Sequence, residues 1–243
     1  MTHNLNAAQR HRNLKNDPAK SAAYRPSSSI PIVGNTVKLL AVNPDCHAAT
    51  LYNLTHDCDG ADTLWDYMGY GPFSNIDEMA DWMATCSASD NAVFYTMIDC
   101  RTGQPFGMAS YLNIHQPDGR IEIGNIWIAP VAQRSTLATE ALFLLMNHAL
   151  DRLKFRRLEW KCNALNEKSR IAARRLGFSY EGTFYRHMIV KGKSRDTAWF
   201  SITEDEWPHL RANFETWLSP GNFHEDRQQK LSLSHLNWPD TQG

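Results

Sequence analysis

One stretch, residues 120–177, constrains the fold more than any other. A strand over residues 120–128 leads into a helix over 135–153, then a strand over 157–163, then a helix that Asn166 opens and Gly177 stops. In the first helix Leu137, Ala141, Leu145, Ala149 and Leu153 recur every fourth residue, with Leu142 and Met146 widening the stripe. That spacing buries one helix face. In the second strand Leu158, Trp160 and Cys162 alternate with Glu159, Lys161 and Asn163, so only one side meets the core. A strand, a crossover helix and a strand imply a parallel pair. The first strand changes parity partway: Ile121 and Ile123 share one face, whereas Ile126 and Ile128 fall on the other. A β-bulge near Gly124 and Asn125 restores a single buried face, since glycine inside a strand often marks a bulge or a close backbone approach.

The flanking segments add antiparallel elements. Residues 33–41 read as a strand, 47–54 as a helix after Asn43 and Pro44, and Asn75 as the N-cap of a helix ending near Ala88. Runs 92–98 and 106–114 form a hairpin around Arg101, Thr102 and Gly103, and the turn Pro117, Asp118, Gly119 feeds the strand at 120. A second hairpin, 180–190 with 195–202, turns at Lys191, Gly192 and Lys193, and a helix over 204–218 closes the domain. Between the first two helices lies an aromatic loop carrying Trp65, Tyr67, Tyr70 and Phe73, readable either as a packed lid or as a substrate contact. The expected fold is mixed α/β: a largely antiparallel twisted sheet with one parallel pair and helices on both faces. With 243 residues and 42% hydrophobic content, one domain over 30–218 suffices. A polar N-terminal extension, 1–29, and a polar C-terminal tail, 219–243, flank it.

A formal net charge of −1 excludes a global polyelectrolyte, so any attraction to nucleic acid or membrane must be local. Five cysteines form an odd set without metal-ligand pairing, and no apolar run resembles a signal peptide or a membrane span. A cytoplasmic location is expected. Arg10, Arg12, Lys15, Lys20 and Arg25 against Asp17 suggest a transit peptide, but apolar residues are too sparse there for an amphipathic face. The ten histidines lack H-x-x-x-H spacing, and no G-x-S-x-G or P-loop run occurs, which disfavours metal hydrolysis, esterase chemistry and phosphoryl transfer. No metal site is expected.

The segment Gln133, Arg134, Ser135, Thr136, Leu137, Ala138, Thr139 joins the bulged strand to its helix. It resembles motif A of the GNAT superfamily of acetyl-CoA-dependent N-acetyltransferases, whose Q/R-x-x-G-x-G/A loop binds the CoA pyrophosphate through amides at a helix N-terminus. Gln133 and Ala138 match; Thr136 replaces the usual glycine. Asn163, Asn166, Ser169, Arg170, Leu176, Gly177 and Phe178 resemble the N-x-x-S-x(7)-G-F signature of the ribosomal-protein N-terminal acetyltransferase branch. The hairpin with Arg186, His187, Met188, Lys191, Gly192, Arg195, Asp196 and Trp199 is similar to that branch's terminal hairpin.

The resemblance implies direct acetyl transfer to a primary amine, without a covalent acyl-enzyme. Trp127 and Ile128 would hold pantetheine and the oxyanion through their amides. Gln133 through Thr139, with Asn163, Asn166 and Arg170, would hold the rest of acetyl-CoA. Trp65, Tyr67, Tyr70, Phe73 and His187 would meet the acceptor. Glu122 matches an acid commonly found on the bulged strand, able to take the amine proton directly or through water; its bland reading is an exposed strand glutamate. The tyrosine that many members use to protonate the thiolate is replaced by Ala173. Ser169 matches the branch's serine in that role, against a bland reading as a first-turn residue bonding its own helix. Lys154, Arg156, Arg157, Lys161, Lys168, Arg170, Arg174 and Arg175 surround both motifs, which suits a phosphorylated cosubstrate, RNA or a solvated face; nucleic acid is not the expected partner. The competing function is a non-catalytic acyl-CoA- or RNA-binding module on a decayed site. The acceptor class stays open, as does the choice between monomer and homodimer.

Overall fold

The computed structural model describes Arg12 and residues 23–56, 58–226 and 228–239. Among these, β1 (Ile32–Val33), β2 (Val37–Ala41), β3 (Val93–Asp99), β4 (Pro105–His115), β5 (Arg120–Ile128), β6 (Arg157–Asn163), β7 (Ser179–Val190) and β8 (Lys193–Thr203) join one sheet. Their order is β1-β2-β3-β4-β5-β6-β8-β7. Only β5 and β6 pair in parallel, over Arg120↔Arg157, Ile121↔Leu158 and Glu122↔Glu159. Beyond Glu122 the two part company: β5 stays with β4 as far as Ile128, and β6 stays with β8 as far as Asn163. The sheet therefore opens into a V at Glu122.

The expected bulge sits at the start of that opening. Between the pairs Ser110↔Gly124 and Met108↔Trp127, β5 carries one more residue than β4. Asn125 absorbs it at φ 51°, a left-handed conformation that asparagine tolerates better than most residues. Its Nδ2 donates to Ser110 Oγ at 2.9 Å. Ile121, Ile123, Ile126 and Ile128 consequently all meet the same core.

That larger core lies under α4 (Thr136–Asn147), α5 (Glu167–Arg175), α6 (Trp207–Leu218) and α7 (Leu233–Asn237). The helix expected over 135–153 is α4 continued by a wider turn, His148–Arg152, in which Leu153 N donates to His148 O at 2.9 Å. The other sheet face carries α1 (Pro44–His56), α2 (Ala61–Leu64) and α3 (Ile76–Ser87). Beneath them a second, aromatic core gathers Leu51, Trp65, Phe73, Met79, Met83 and Trp127. Asn75 caps α3 as expected, its side chain accepting from Glu78 N.

Four segments differ from the sequence reading. The strand expected over 33–41 breaks into β1 and β2 because the chain turns at Gly34, which packs against Glu140 and Leu144 too closely for a side chain. The Glu140 carboxylate accepts from Asn35 N at 2.5 Å and from Thr36. The first helix is longer than 47–54, starting with Pro44 in its first turn, where a missing N–H costs nothing. α2 falls inside the aromatic loop and is too short to leave a periodic signal. The segment after Pro220, polar by composition, docks on the end of α5: Leu233 is fully buried. Asn237 Nδ2 reaches Arg175 O at 2.9 Å and Trp238 Nε1 reaches Arg174 O at 2.7 Å, adding donors to carbonyls of the last helical turn.

Of the N-terminal extension, residues 1–11 and 13–22 lie outside the described part, as do 227 and 240–243 of the C-terminal segment. The rest of the extension runs along the domain. Tyr24 N donates to Leu153 O at 2.9 Å, Gln116 Nε2 to Ala23 O at 2.9 Å and Tyr95 Oη to Ser27 O at 3.1 Å.

Candidate active site

The opened sheet gives the site two walls. On the α4 side, Ser135 is the N-cap, its Oγ accepting from Ala138 N at 3.1 Å while donating to Ala132 O at 2.6 Å. Thr136 is the first helical residue and is exposed. The left-handed position of this loop belongs to Arg134, at φ 58°, so replacing the family's glycine with Thr136 imposes no left-handed strain. Helix geometry leaves the amides of Thr136 and Leu137 without intrahelical acceptors, and the helix dipole adds positive potential there. This end of α4 fits a pyrophosphate. Gln133 Nε2 donates to Ile128 O at 3.0 Å and ties the loop to the end of β5. Thr139 Oγ1 donates to Ser135 O at 3.2 Å and receives Arg175 Nη1 at 3.1 Å.

On the same sheet side, Asn166 caps α5 by accepting from Ser169 N at 3.0 Å. Asn163 Oδ1 turns the preceding loop by accepting from Leu165 N at 2.9 Å, and Arg170 Nη1 reaches Ala164 O at 3.4 Å. Trp160 Nε1 donates to Ser169 Oγ at 3.0 Å. The Ser169 oxygen is thus steadied by an indole N–H, and its hydroxyl lies within hydrogen-bond reach of Cys162. Cys162 is buried, and that burial pushes its thiol upward, which leaves it a small hydrophobe rather than a nucleophile.

The opposite wall carries Glu122. It is 4% exposed, not the solvated strand residue of the bland reading. Its Oε2 accepts from Lys161 Nζ at 2.6 Å and from Asn113 Nδ2 at 2.7 Å. Asn113 is aimed there by a second irregularity, since β4 carries an extra residue between Leu112↔Glu122 and His115↔Arg120, and Asn113 takes φ 48°. Burial pushes the Glu122 carboxyl above the usual carboxylate range, opposed by Lys161 and then Asn113. Lys161 sits 4.2 Å over the Trp199 ring, its cross-strand partner. His187 extends this shelf: its Nδ1 lies 3.0 Å from Thr197 Oγ1, and its ring is 5.9 Å from that of Trp199.

Four aromatic positions divide by depth. Trp65 and Phe73 are buried, with Trp65 packing 5.4 Å from Trp127, also buried. Tyr70 stacks on Trp82 at 4.2 Å, and burial pushes its phenol well up. Tyr67 is the exposed one, its Oη donating to Leu165 O at 3.2 Å. From the hairpin tip, Lys191 Nζ donates to Trp65 O at 3.2 Å and to Gly71 O. The loop is thereby strapped over the V. Glu122 and Ser169 lie on opposite sheet sides, joined through the adjacent β6 residues Lys161 and Trp160. Sequence reasoning placed Lys161 only among the basic residues around both motifs, without its pairing to Glu122, and did not single out Asn113; the alternation of β6 already set Lys161 on the side of Glu159, and that was the available signal.

Among the described residues no cluster suited to a metal ion occurs, and no helix is long and apolar enough to cross a membrane. Residues 37–179 match the acetyltransferase (GNAT) domain family. A GCN5-related N-acetyltransferase from Brucella melitensis superposes with a TM-score of 0.86 at 36% identity, covering 90% of this chain and 98% of that one. YdaF of Bacillus subtilis (strain 168), named as a candidate ribosomal N-acetyltransferase, is 32% identical over 43% of this chain and 57% of its own length. The spermidine N(1)-acetyltransferase of Escherichia coli (strain K12) is 25% identical over 68% of this chain and 90% of its own. The fold, the opened parallel pair and these likenesses together make the chain a member of the GNAT family of N-acetyltransferases.

Proposed function

We propose that the protein transfers the acetyl group of acetyl-CoA directly to a primary amine, with Glu122 as the base and Ser169 as the acid. The observation that carries this reading is a buried, hydrogen-bonded carboxylate where β5 leaves β6. An acceptor amine gives a proton to Glu122 as its nitrogen bonds the thioester carbon. The carbon–sulfur bond then breaks, the thiolate takes the Ser169 proton, and solvent takes the proton from Glu122 and returns one to Ser169, so that both groups regain their starting states. The Ile128 amide is the proposed support for the oxyanion, and the first turn of α4 for the pyrophosphate; the Trp127 amide, of the same parity as Ala129, whose N donates to Phe106 O at 2.8 Å, turns toward β4 instead.

The acceptor we infer is a monoamine, foremost the α-amino group of a protein or peptide, rather than a polyamine. At the V itself, Glu122 is paired with Lys161 and Glu159 with Arg157 at 2.9 Å. An α-amine, with an ordinary pKa of about 7.7–8.0, also asks less of the base than a lysine-like amine near about 10.4. Five free thiols, two buried and three exposed, support a reducing, cytoplasmic setting. CoA release from acetyl-CoA against peptides, amino acids, spermidine and aminoglycosides tests the proposal. Saturable turnover of an N-terminal peptide supports it; turnover of spermidine alone overturns the acceptor, and none with any amine overturns acetyl transfer.

A further inference from the structure

We infer that Lys161 is a positioning residue for acetyl transfer: it holds one oxygen of Glu122 so that the other is presented, ionised, to the acceptor amine beside the β5 bulge. This rests on the reading of Glu122 as the base. The fold treats the two carboxylate oxygens differently. Oε2 is occupied twice, by Lys161 Nζ at 2.6 Å and Asn113 Nδ2 at 2.7 Å. Oε1 lies toward Gly124 and takes no hydrogen bond from the described residues. A Cβ on Gly124 would stand 3.3 Å from Oε1 and 2.7 Å from Leu112 Cδ2. The missing side chain therefore keeps Oε1 uncovered where the parallel pairing ends.

Lys161 is itself fixed. A lysine ordinarily turns its ammonium to water, but this one has a side chain only 14% exposed. It is held between the Glu122 carboxylate and the Trp199 ring, 4.2 Å away. A cation on a ring face and against a carboxylate is stabilised from both sides. The charge has a task, because burial drives a carboxyl toward its neutral form, and a neutral Glu122 accepts no proton. Among the described residues, the charged groups acting on Glu122 are Lys161 and Glu159 on β6 and Arg195 on β8; Asn113 on β4 contributes a neutral donor. Lys161 is the one that touches it.

The test follows the carboxyl carbons of glutamate by carbon-13 NMR across pH in the full chain, with Glu122 assigned by its loss in Glu122→Gln. Lys161→Met is expected to raise the Glu122 midpoint by about 1–3 pH units, and Lys161→Arg to leave it near the parent's. The acid limb of kcat, measured with acetyl-CoA and a serine-initiated peptide, should move up with it, so that Lys161→Met is slowed at least about tenfold near pH 6 and recovers toward pH 9. Should Lys161→Met not fold, Lys161→Gln keeps a donor for Oε2 without the charge and reads the same midpoint. An unmoved midpoint, or a loss of rate equal at all pH values, overturns the inference. A Glu122→Gln enzyme with the parent's rate and pH profile overturns the base itself, and does so whatever the NMR midpoint does in the Lys161 variants.

Discussion

The two walls of the opened sheet are built by different means. The α4–α5 wall is local: Ser135 bonds Ala138, Asn166 bonds Ser169, and Gln133 bonds Ile128, each within a few residues. The Glu122 wall is assembled from afar, with Asn113, Lys161 and Trp199 arriving on β4, β6 and β8 and Lys191 strapping the aromatic loop from the hairpin tip. A wall of backbone amides and caps suits a constant cosubstrate, whereas one of long-range side-chain pairs permits the acceptor side to vary. Single substitutions should therefore act separably on the two.

The largest expected effect is on the Glu122 wall. Glu122→Gln keeps the shape but removes the proton acceptor, and kcat should fall about 10²- to 10⁴-fold while acetyl-CoA affinity stays the same; calorimetric titration beside steady-state kinetics checks the split. Ser169→Ala comes next. It should lower kcat about 10²-fold, because protonating the thiolate counts in the transition state and little in the ground state. A rise in KM for acetyl-CoA with kcat intact would move Ser169 to cosubstrate positioning. Thr136→Asp, on the exposed first position of α4, should have effects of opposite sign: acetyl-CoA binds about five- to tenfold more weakly through repulsion of the pyrophosphate, yet the helix gains about 0.3–1 kcal/mol from its dipole. Unchanged affinity would place the pyrophosphate elsewhere.

The smallest effect on catalysis belongs to a charge network on the Glu122 side of the sheet but away from the V. Glu181 accepts from Arg157 at 2.6 Å and Arg12 at 2.7 Å. Burial alone would raise its carboxyl, but the bonds from Arg157 and Ser201 and the nearby Arg12 outweigh that and hold it at about 2. Because the folded value lies below the unfolded one of about 4.3, this group stabilises the fold above about pH 4.3, and the contribution is lost as pH falls toward about 2. Glu181→Gln should lower the melting temperature at neutral pH and flatten its acid decline, with turnover per folded molecule unaffected. A lost turnover would merge this network with the catalytic wall.

The same contrast explains what was legible in the sequence. The bulge announced itself as a parity break between Ile123 and Ile126, and the caps Asn75, Ser135 and Asn166 precede their helices at short, regular spacing. β6 was readable to the residue because one face is apolar. Lys161 was not, since a lysine on a polar strand face carries no mark of a glutamate on the neighbouring strand. Asn113 needed a register slip in β4 that leaves no apolar parity break to notice. The docked segment after Pro220 escaped because its apolar residues, Leu231, Leu233, Leu236 and Trp238, are too few and too scattered for periodicity to reveal.

The indole of Trp160 gives the enzyme an optical reporter of its own. Its N–H ends on the Ser169 hydroxyl, one bond from the proposed point of thiolate departure, so its emission is sensitive to what occupies that hydroxyl. Trp65, Trp127 and Trp199 stand on the opposite wall, which makes half of the eight tryptophans neighbours of the V. Occupancy of either wall can be followed by intrinsic fluorescence without a label, and replacing Trp160 alone by phenylalanine separates the light from one wall from that of the other.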